Sequence, residues 1–485
     1  LICSIVFLLP FSQQIVASDE FHGLCAPSPS IQPISLIPLT KTALPDWTLR
    51  QTELTQNRLK DANFSATDTT FFPVYSPEGK LESIVFGMND KDNFWILAHL
   101  AAVLPQNVYQ LDDSLLSSTQ ATKVCLGWAL EHYRFNSYRT ITKKSENLAK
   151  LIWPEQADKN WVIQHYEGTA LIRDLVNTPA EDMGPHDLIK VARATADHFS
   201  ASYTTIIGKD LLSQNYPMIY AVGKGAKQRP RLFDMEWHGP NAKKSLVLVG
   251  KGVCFDSGGL NIKTGDYMRD MKKDMAGAAH VLALAKMIMM AQLPINLRLL
   301  IPAVENAVSR DSYRPGDILK SRKGLTVEIG NTDAEGRLIL ADALTEGSST
   351  NPDLIIDFAT LTGAARMAVG PLIQPFFCNS MDIAQKIKKS GDAEQEAVWE
   401  LPLFQPYKSD LKSAVADLNN MSSSSYNGAI SAALFLEYFV QENVPWLHFD
   451  IFAWNKSSTP GKPEGGEATG LRTVFNFISG AFLES

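Results

Sequence analysis

Apolar and polar positions fall along the chain in two alternating rhythms. Leu81–Gly87, Phe94–Val103 and Ala121–Tyr133 mix strand-like and helical spacing, as a small α/β domain would. From Lys159 to Val176 the apolar positions Trp161, Ile163, Tyr166, Leu171, Ile172 and Leu175 recur at helical spacing. Asn177-Thr-Pro179 and Gly184-Pro185 then stop the helix. Beyond it, apolar runs suited to buried strands (Ser245–Val249, Leu297–Val304, Leu354–Phe358, Trp446–Trp454) alternate with helical stretches (Met275–Ala291, Arg337–Leu344, Gly428–Gln441). This alternation predicts an α/β fold in two domains. The carboxyl-terminal one has a mixed, buried sheet flanked by helices, and the amino-terminal one is a smaller α/β unit. The boundaries are set at 1–30 for a leader or disordered entry, 31–155 for the amino-terminal domain and 156–485 for the carboxyl-terminal domain. Pro27–Pro45, rich in Pro, Ser and Thr, reads as an extended entry.

Length agrees with two cores, since 485 residues exceed what one small core organises. A net charge of −7 and no basic cluster argue against nucleic acid and anionic membranes as partners. Five scattered cysteines with no Cys-x-x-Cys pair fit reduced thiols in a cytoplasmic protein. Leu1–Ser18 carries no charge, and its run Ile5–Phe11 resembles the apolar part of a truncated signal peptide. It lacks a basic flank and contains Pro10 and the Gln13-Gln14 pair, so the expectation stays cytoplasmic.

Two segments carry unusual chemistry just beyond predicted strands, where α/β sheets usually bind ligands. One is Val249–Leu260, continuing through Lys263 to Met271–Ala279; the other is Asn331–Leu338. Glycines 250, 252, 258 and 259 allow tight turns and close backbone approach. Asp256, Asp274, Asp333 and Glu335 supply four carboxylates, with Asp333 and Glu335 two apart; an extended backbone would put both on one face. Converging carboxylates repel and raise one another's pKa. Two divalent cations, bridged by carboxylates and about 3.5–4 Å apart, would remove that repulsion. No histidine pair has metal-ligand spacing, so any metal rests on oxygen and on other donors. Cys254 and His280 read as packed residues, and Lys272-Lys273 as a charged face.

Asn331-Thr-Asp-Ala-Glu-Gly-Arg-Leu338 closely resembles the signature of the leucyl (cytosol) aminopeptidases, two-metal exopeptidases. Lys251–Gly259 and Met271–Ala279 match two further motifs of that family. The likeness spans about 177–470, with the amino-terminal part only vaguely similar. It implies that Asp256, Asp333 and Glu335 bind one ion, and that Lys251, Asp256, Asp274 and Glu335 bind the other. The ions would be zinc, manganese or magnesium. It implies that Lys263 polarises the scissile carbonyl and that Arg337 holds a bicarbonate acting as general base toward a bridging water. Met271, Thr360, Leu361 and Gly363 would line the substrate pocket. The substrates implied are peptides with a free amino terminus, with a leucine-like preference, and the assembly is a homohexamer. Cys254, Thr264 and His280 depart from the commonest family pattern, which leaves substrate preference and metal tuning open. A two-metal phosphoesterase is the rival reading, and an added DNA-binding role is a second one, which the acidic balance disfavours.

Overall fold

The computed structural model describes residues 20–89, 93, 95–114, 116–140 and 149–484. Leu1–Ser18, read above as a candidate leader, and Phe94 lie outside them. The chain divides into two compact units, one running to Glu167 and regaining Asn455–Glu464, the other formed by Gly168–Trp454 and Gly465–Ser485. The division falls inside the long helix Lys159–Asn177.

The amino-terminal unit holds a mixed sheet in which Ile34–Leu39 runs parallel to both Val108–Leu111 and Leu81–Gly87. The segment read as an extended entry thus supplies an inner strand. Its alternating burial outweighs the Pro and Ser around it. Glu20–Phe21 and Leu24–Cys25 also pair, and Leu24–Cys25 joins Leu151–Ile152, so the part of the expected entry from residue 20 to 25 is ordered sheet. Helices Trp95–Val103 and Ser118–Glu131 accompany the sheet; Ser117 and Gln120 close a capping box at the second.

The main sheet of the larger unit is built from β1 (Ser202–Ile207), β2 (Arg231–His238), β3 (Lys244–Gly250), β4 (Gly252–Asp256), β5 (Ile295–Asn306), β6 (Leu354–Ala359), β7 (Gln374–Cys378), β8 (Val398–Glu400) and β9 (Trp446–Asp450). They form one sheet in the order β8-β7-β9-β6-β3-β5-β2-β1, with β4 also on β5. Its centre is parallel; β2 on β5 and β7 on β9 run antiparallel. Helices α1 (Ala276–Met290), α2 (Gly336–Ser348), α3 (Gly363–Val369) and α4 (Gly428–Glu437) belong to the same unit. Every residue of α1 except its last is buried, which suits its run of small and aliphatic side chains. The predicted strand Trp446–Trp454 ends at Asp450; Ile451 caps it by donating to Ala359 O, and Ala453 takes a positive φ of 53°. No described helix is long and apolar enough to cross a membrane.

Candidate active site

β3 and β4 lie on one line along β5. Lys244–Val249 pairs with Ile295–Leu300, and Gly252–Val253 with Ala303–Val304. Lys251 occupies the break. Its N–H donates to Phe358 O at 3.0 Å and its carbonyl accepts from Ala278 N at 2.9 Å, so the backbone is satisfied by β6 and α1 instead of by β5. Its side chain runs inward, and Nζ lies 2.9 and 2.8 Å from the two Asp274 oxygens, 3.0 Å from Glu335 Oε1 and 2.9 Å from Thr360 O. A register shift between Val253 and Asp256 then turns Asp256 inward as well. Gly258 and Gly259 follow at φ of +87° and +64°, a turn that L side chains resist. Gly258 N donates to Asp256 Oδ1 at 2.9 Å, and Lys263, beyond the turn, reaches back to Asp256 Oδ2 at 2.6 Å and Asp333 Oδ1 at 2.5 Å.

The second motif is a turn running into α2, not an extended segment: Glu335 is already helical at φ −77°, ψ −34°. Asp333 and Glu335 therefore converge by the turn's curvature and not by strand alternation. Thr332 fixes that turn, donating its hydroxyl to Gly258 O at 2.6 Å, while its carbonyl accepts from Tyr313 Oη and Asn306 Nδ2. Carboxylate oxygens of Asp256, Asp333 and Glu335 come within 4.8 Å of one another. Asp274 sits on the far side of Lys251 and accepts from Thr360 Oγ1 at 2.7 Å. Lys251, Asp256, Asp274 and Glu335 are all nearly inaccessible to solvent.

The electrostatics follow from that crowding. Burial and the neighbouring Asp256 and Asp274 push Glu335 up to about 8, and burial with Asp256 pushes Asp333 up to about 6. Asp274 is also raised by burial. Burial opposes the charge of Asp256, but Lys263 and Lys251 outweigh it and hold the acid below its usual range. Likewise burial opposes the Lys251 charge, while Asp274, Glu335 and Asp256 hold its ammonium above an ordinary lysine. Asp274 Oδ2, Asp333 Oδ1 and Glu335 Oε1 face a lysine at ion-pair distance but accept no hydrogen bond among the described residues. Hard oxygens in excess of their donors, beside an amine, suit divalent cations. Arg337, in the first turn of α2, donates Nη1 to Asn420 O at 2.8 Å; its buried Nε has no partner among the described residues, and burial lowers its pKa to about 10.

All of this opens on a cleft of about 420 Å³ lined by Lys251, Asp256, Lys263, Met271, Asp274, Asp333, Arg337, Thr360, Leu361 and Gly363. Glu335 lies beneath it. Sequence reasoning missed Asn306, which donates to Asp256 Oδ1 at 2.8 Å, and Asn420, which accepts from Gly330 N and Asn331 N and donates to Asn331 O. Asp450 was also missed; it accepts from Leu361 N, Thr362 N and Thr362 Oγ1. The polar run from Asn419 to Gly428, which contributes Met421, Ser422, Ser424 and Ser425 to the wall, was the one legible signal. Lys272-Lys273 is not a solvated face. Lys272 Nζ donates to Asn177 O at 2.6 Å, and Lys273 is buried on the cleft wall, where burial lowers its pKa to about 8. His280 is packed: its Nδ1 meets Ala276 O, and its Nε2 accepts from Thr469 N. Burial pushes the Cys254 thiol well up, as befits an inert core residue.

Residues 170–475 match the model of the cytosol aminopeptidase family, catalytic domain, and residues 33–154 match that of the M17 aminopeptidase N-terminal domain. The chain belongs to the cytosol aminopeptidase family. A probable cytosol aminopeptidase of Syntrophotalea carbinolica is 40% identical over 381 residues, covering 75% of this chain and 76% of the relative. One from Aquifex aeolicus is 38% identical over 369 residues, 74% and 75% of the two chains. The crystal structure of the cytosol aminopeptidase from Coxiella burnetii has a TM-score of 0.89 at 45% identity, over 94% of this chain and 98% of that one. The bottromycin maturation enzyme BotP in complex with Mn has a TM-score of 0.83 at 29% identity, over 92% and 99%. Family membership makes the protein a metal-dependent aminopeptidase, a hydrolase acting on peptides, with the two-domain architecture of the family. The comparisons do not favour the phosphoesterase reading.

Proposed function

We propose that this cleft releases the amino-terminal residue of peptides using two divalent ions, zinc, manganese or magnesium, held by Lys251, Asp256, Asp274, Asp333 and Glu335. The observation that carries the reading is the buried cluster of Asp256, Asp333 and Glu335 oxygens within 4.8 Å, with Lys251 and Asp274 beside it. Asp256 and Glu335 lie within this set, Glu335 against Lys251 and Asp256 against Lys263, and would be the residues to hold both ions. When bound, the ions supply the positive charge the carboxylates lack and acidify water into a nucleophile near neutral pH.

The chain's own groups do the rest. Lys263, partly open to the cleft, presents an ammonium to the scissile carbonyl and to the oxyanion that develops there. Arg337, whose Nε has no partner among the described residues, is the group to hold bicarbonate, which would supply a proton acceptor. Lys251 must surrender its proton to serve as a ligand, so loading should release protons. Met271, Thr360, Leu361 and Gly363 form the substrate wall, and the apolar Met271 and Leu361 support a leucine-like preference. We adopt the domain limits 31–155 and 156–485, supported by family matches that end at 154 and resume at 170. A cytoplasmic location and a homohexamer complete the reading; the name borne by the relatives supports the first, and likeness to the family the second. Chelation should abolish hydrolysis of Leu-anilide, and manganese or zinc should restore it. Full activity in protein shown to be metal-free would sink the proposal.

A further inference from the structure

The cleft contains two cations that the reaction described above does not use. Lys273 is 5% exposed, yet among the described residues its Nζ has no hydrogen-bond acceptor and no carboxylate at ion-pair distance. What it meets is the ring of Phe452, 5.1 Å away. Arg366, in the last turn of α3, lies over the same ring at 4.3 Å and likewise has no carboxylate partner among the described residues. Both side chains line the cleft, and Arg366 Nη2 is 3.5 Å from where a Cβ on Gly363 would stand. The acids nearest to them are already engaged. Asp274 is held by Lys251 and Thr360, and Asp450 by Leu361, Thr362 and the Thr362 hydroxyl. A cation–π contact offsets only part of what a buried ammonium loses in leaving water. Filling the cleft with an apolar side chain would strip still more water from both groups.

We propose that Lys273 and Arg366, both packed against the Phe452 ring, form a subsite for a second carboxylate on the peptide substrate. That carboxylate is the side chain of an amino-terminal glutamate or aspartate, or the terminal carboxylate of a short peptide. Arg366 offers paired N–H donors and Lys273 a compact charge, so one carboxylate satisfies both. The inference rests on the aminopeptidase reading and narrows its substrate class.

The test compares kcat/KM for Glu-, Gln- and Leu-anilide, and for Leu-Gly against its amide, in the parent, Lys273→Met and Arg366→Met, all loaded with manganese. Arg366 is only half-buried, so Arg366→Met keeps the test usable if Lys273→Met fails to fold. The parent should prefer Glu- over Gln-anilide by about tenfold or more, because Gln leaves the cations unpaired. Each variant should bring that ratio toward one. If the ratio of Leu-Gly to its amide is the one that collapses, the subsite stands and the terminal carboxylate is its ligand. If neither ratio exceeds about twofold in the parent, or neither variant changes it, the subsite is refuted while Leu-anilide turnover preserves the aminopeptidase reading. Failure to cleave any of the substrates would overturn that reading itself.

Discussion

Asp342 offers a test of how the helix carrying Glu335 and Arg337 is anchored. It lies on α2, is fully buried, and accepts from Met218 N and Arg322 N at 2.8 Å each and from Ile219 N at 3.3 Å. Burial nevertheless pushes its pKa up from 3.8 to about 7, the three donors only partly opposing it. An acid raised in the fold contributes its full stability below its unfolded pKa and loses it as pH rises through the folded value. Between pH 5 and 7 the unfolded chain is ionised while the folded residue stays largely protonated. Two pH units at about 1.4 kcal/mol each give a loss on the order of 3 kcal/mol. For a unit of this size that lowers the melting midpoint by about 5 °C. Asp342→Asn keeps an acceptor and removes the titration. Parent and variant should therefore be melted side by side at pH 5, 6, 7 and 8 and at one scan rate, because large chains often unfold irreversibly. The parent midpoint should fall relative to the variant by about that amount, most of it between pH 5 and 7. Parallel curves would mean that Asp342 does not titrate in this window and that the helix is anchored otherwise.

Further expectations concern the site. Asp256→Ala and Glu335→Ala should each lose more metal per subunit than Asp274→Ala, measured by elemental analysis; equal retention in all three contradicts the bridging assignment. Lys263→Ala should keep both ions and its fold yet lose roughly 10²–10³ in kcat, the usual cost of a lost electrostatic stabiliser. Arg337→Ala should lose less, and added bicarbonate should stimulate the parent but not this variant; equal stimulation removes the anion from Arg337. Gly336→Ala should weaken metal binding without touching a ligand. A Cβ there would come 2.5–2.8 Å from the Lys251 stem, which Asp274, Glu335 and Thr360 prevent from moving aside. Unchanged affinity would show the stem to be free.

Much of the catalytic sheet could be read from local pattern, because β3, β5 and β6 are apolar runs long enough to suit buried strands. The octet 331–338 and the 251–259 and 271–279 motifs contain every residue proposed to hold metal, and these residues lie on the cleft or just beneath it. What escaped depends on distant partners. Nothing near Ile34–Leu39 announces an inner strand, since its proline and serine neighbours suggest a loop and its pairing comes from residues 81–87 and 108–111. Asp333-x-Glu335 looked extended because alternation counts spacing only; Thr332, held by Gly258, Tyr313 and Asn306, bends it. Asn306 and Asn420 orient the site through bonds to residues 50 and 89 positions away, and single asparagines carry no such signal. Lys273 looked like half of a charged pair, and only the packing of Phe452 shows which lysine turns inward.

The collinear strands β3 and β4, with Lys251 at their break, constrain how this segment can change length. Side chains alternate faces along a strand, so one residue inserted or deleted would carry those beyond it to the opposite face. Between Leu246, whose partners on β5 and β6 fix the register, and Asp256, whose partner is Asn306, such an indel would turn Lys251 or Asp256 out of the cluster. The residues from Thr264 to Arg269, beyond Lys263, mostly exposed and outside the sheet, carry no such constraint. Length variants of this enzyme that retain activity should therefore gather in that loop, and a scan of single-codon deletions would draw the site's outline without altering any side chain in it.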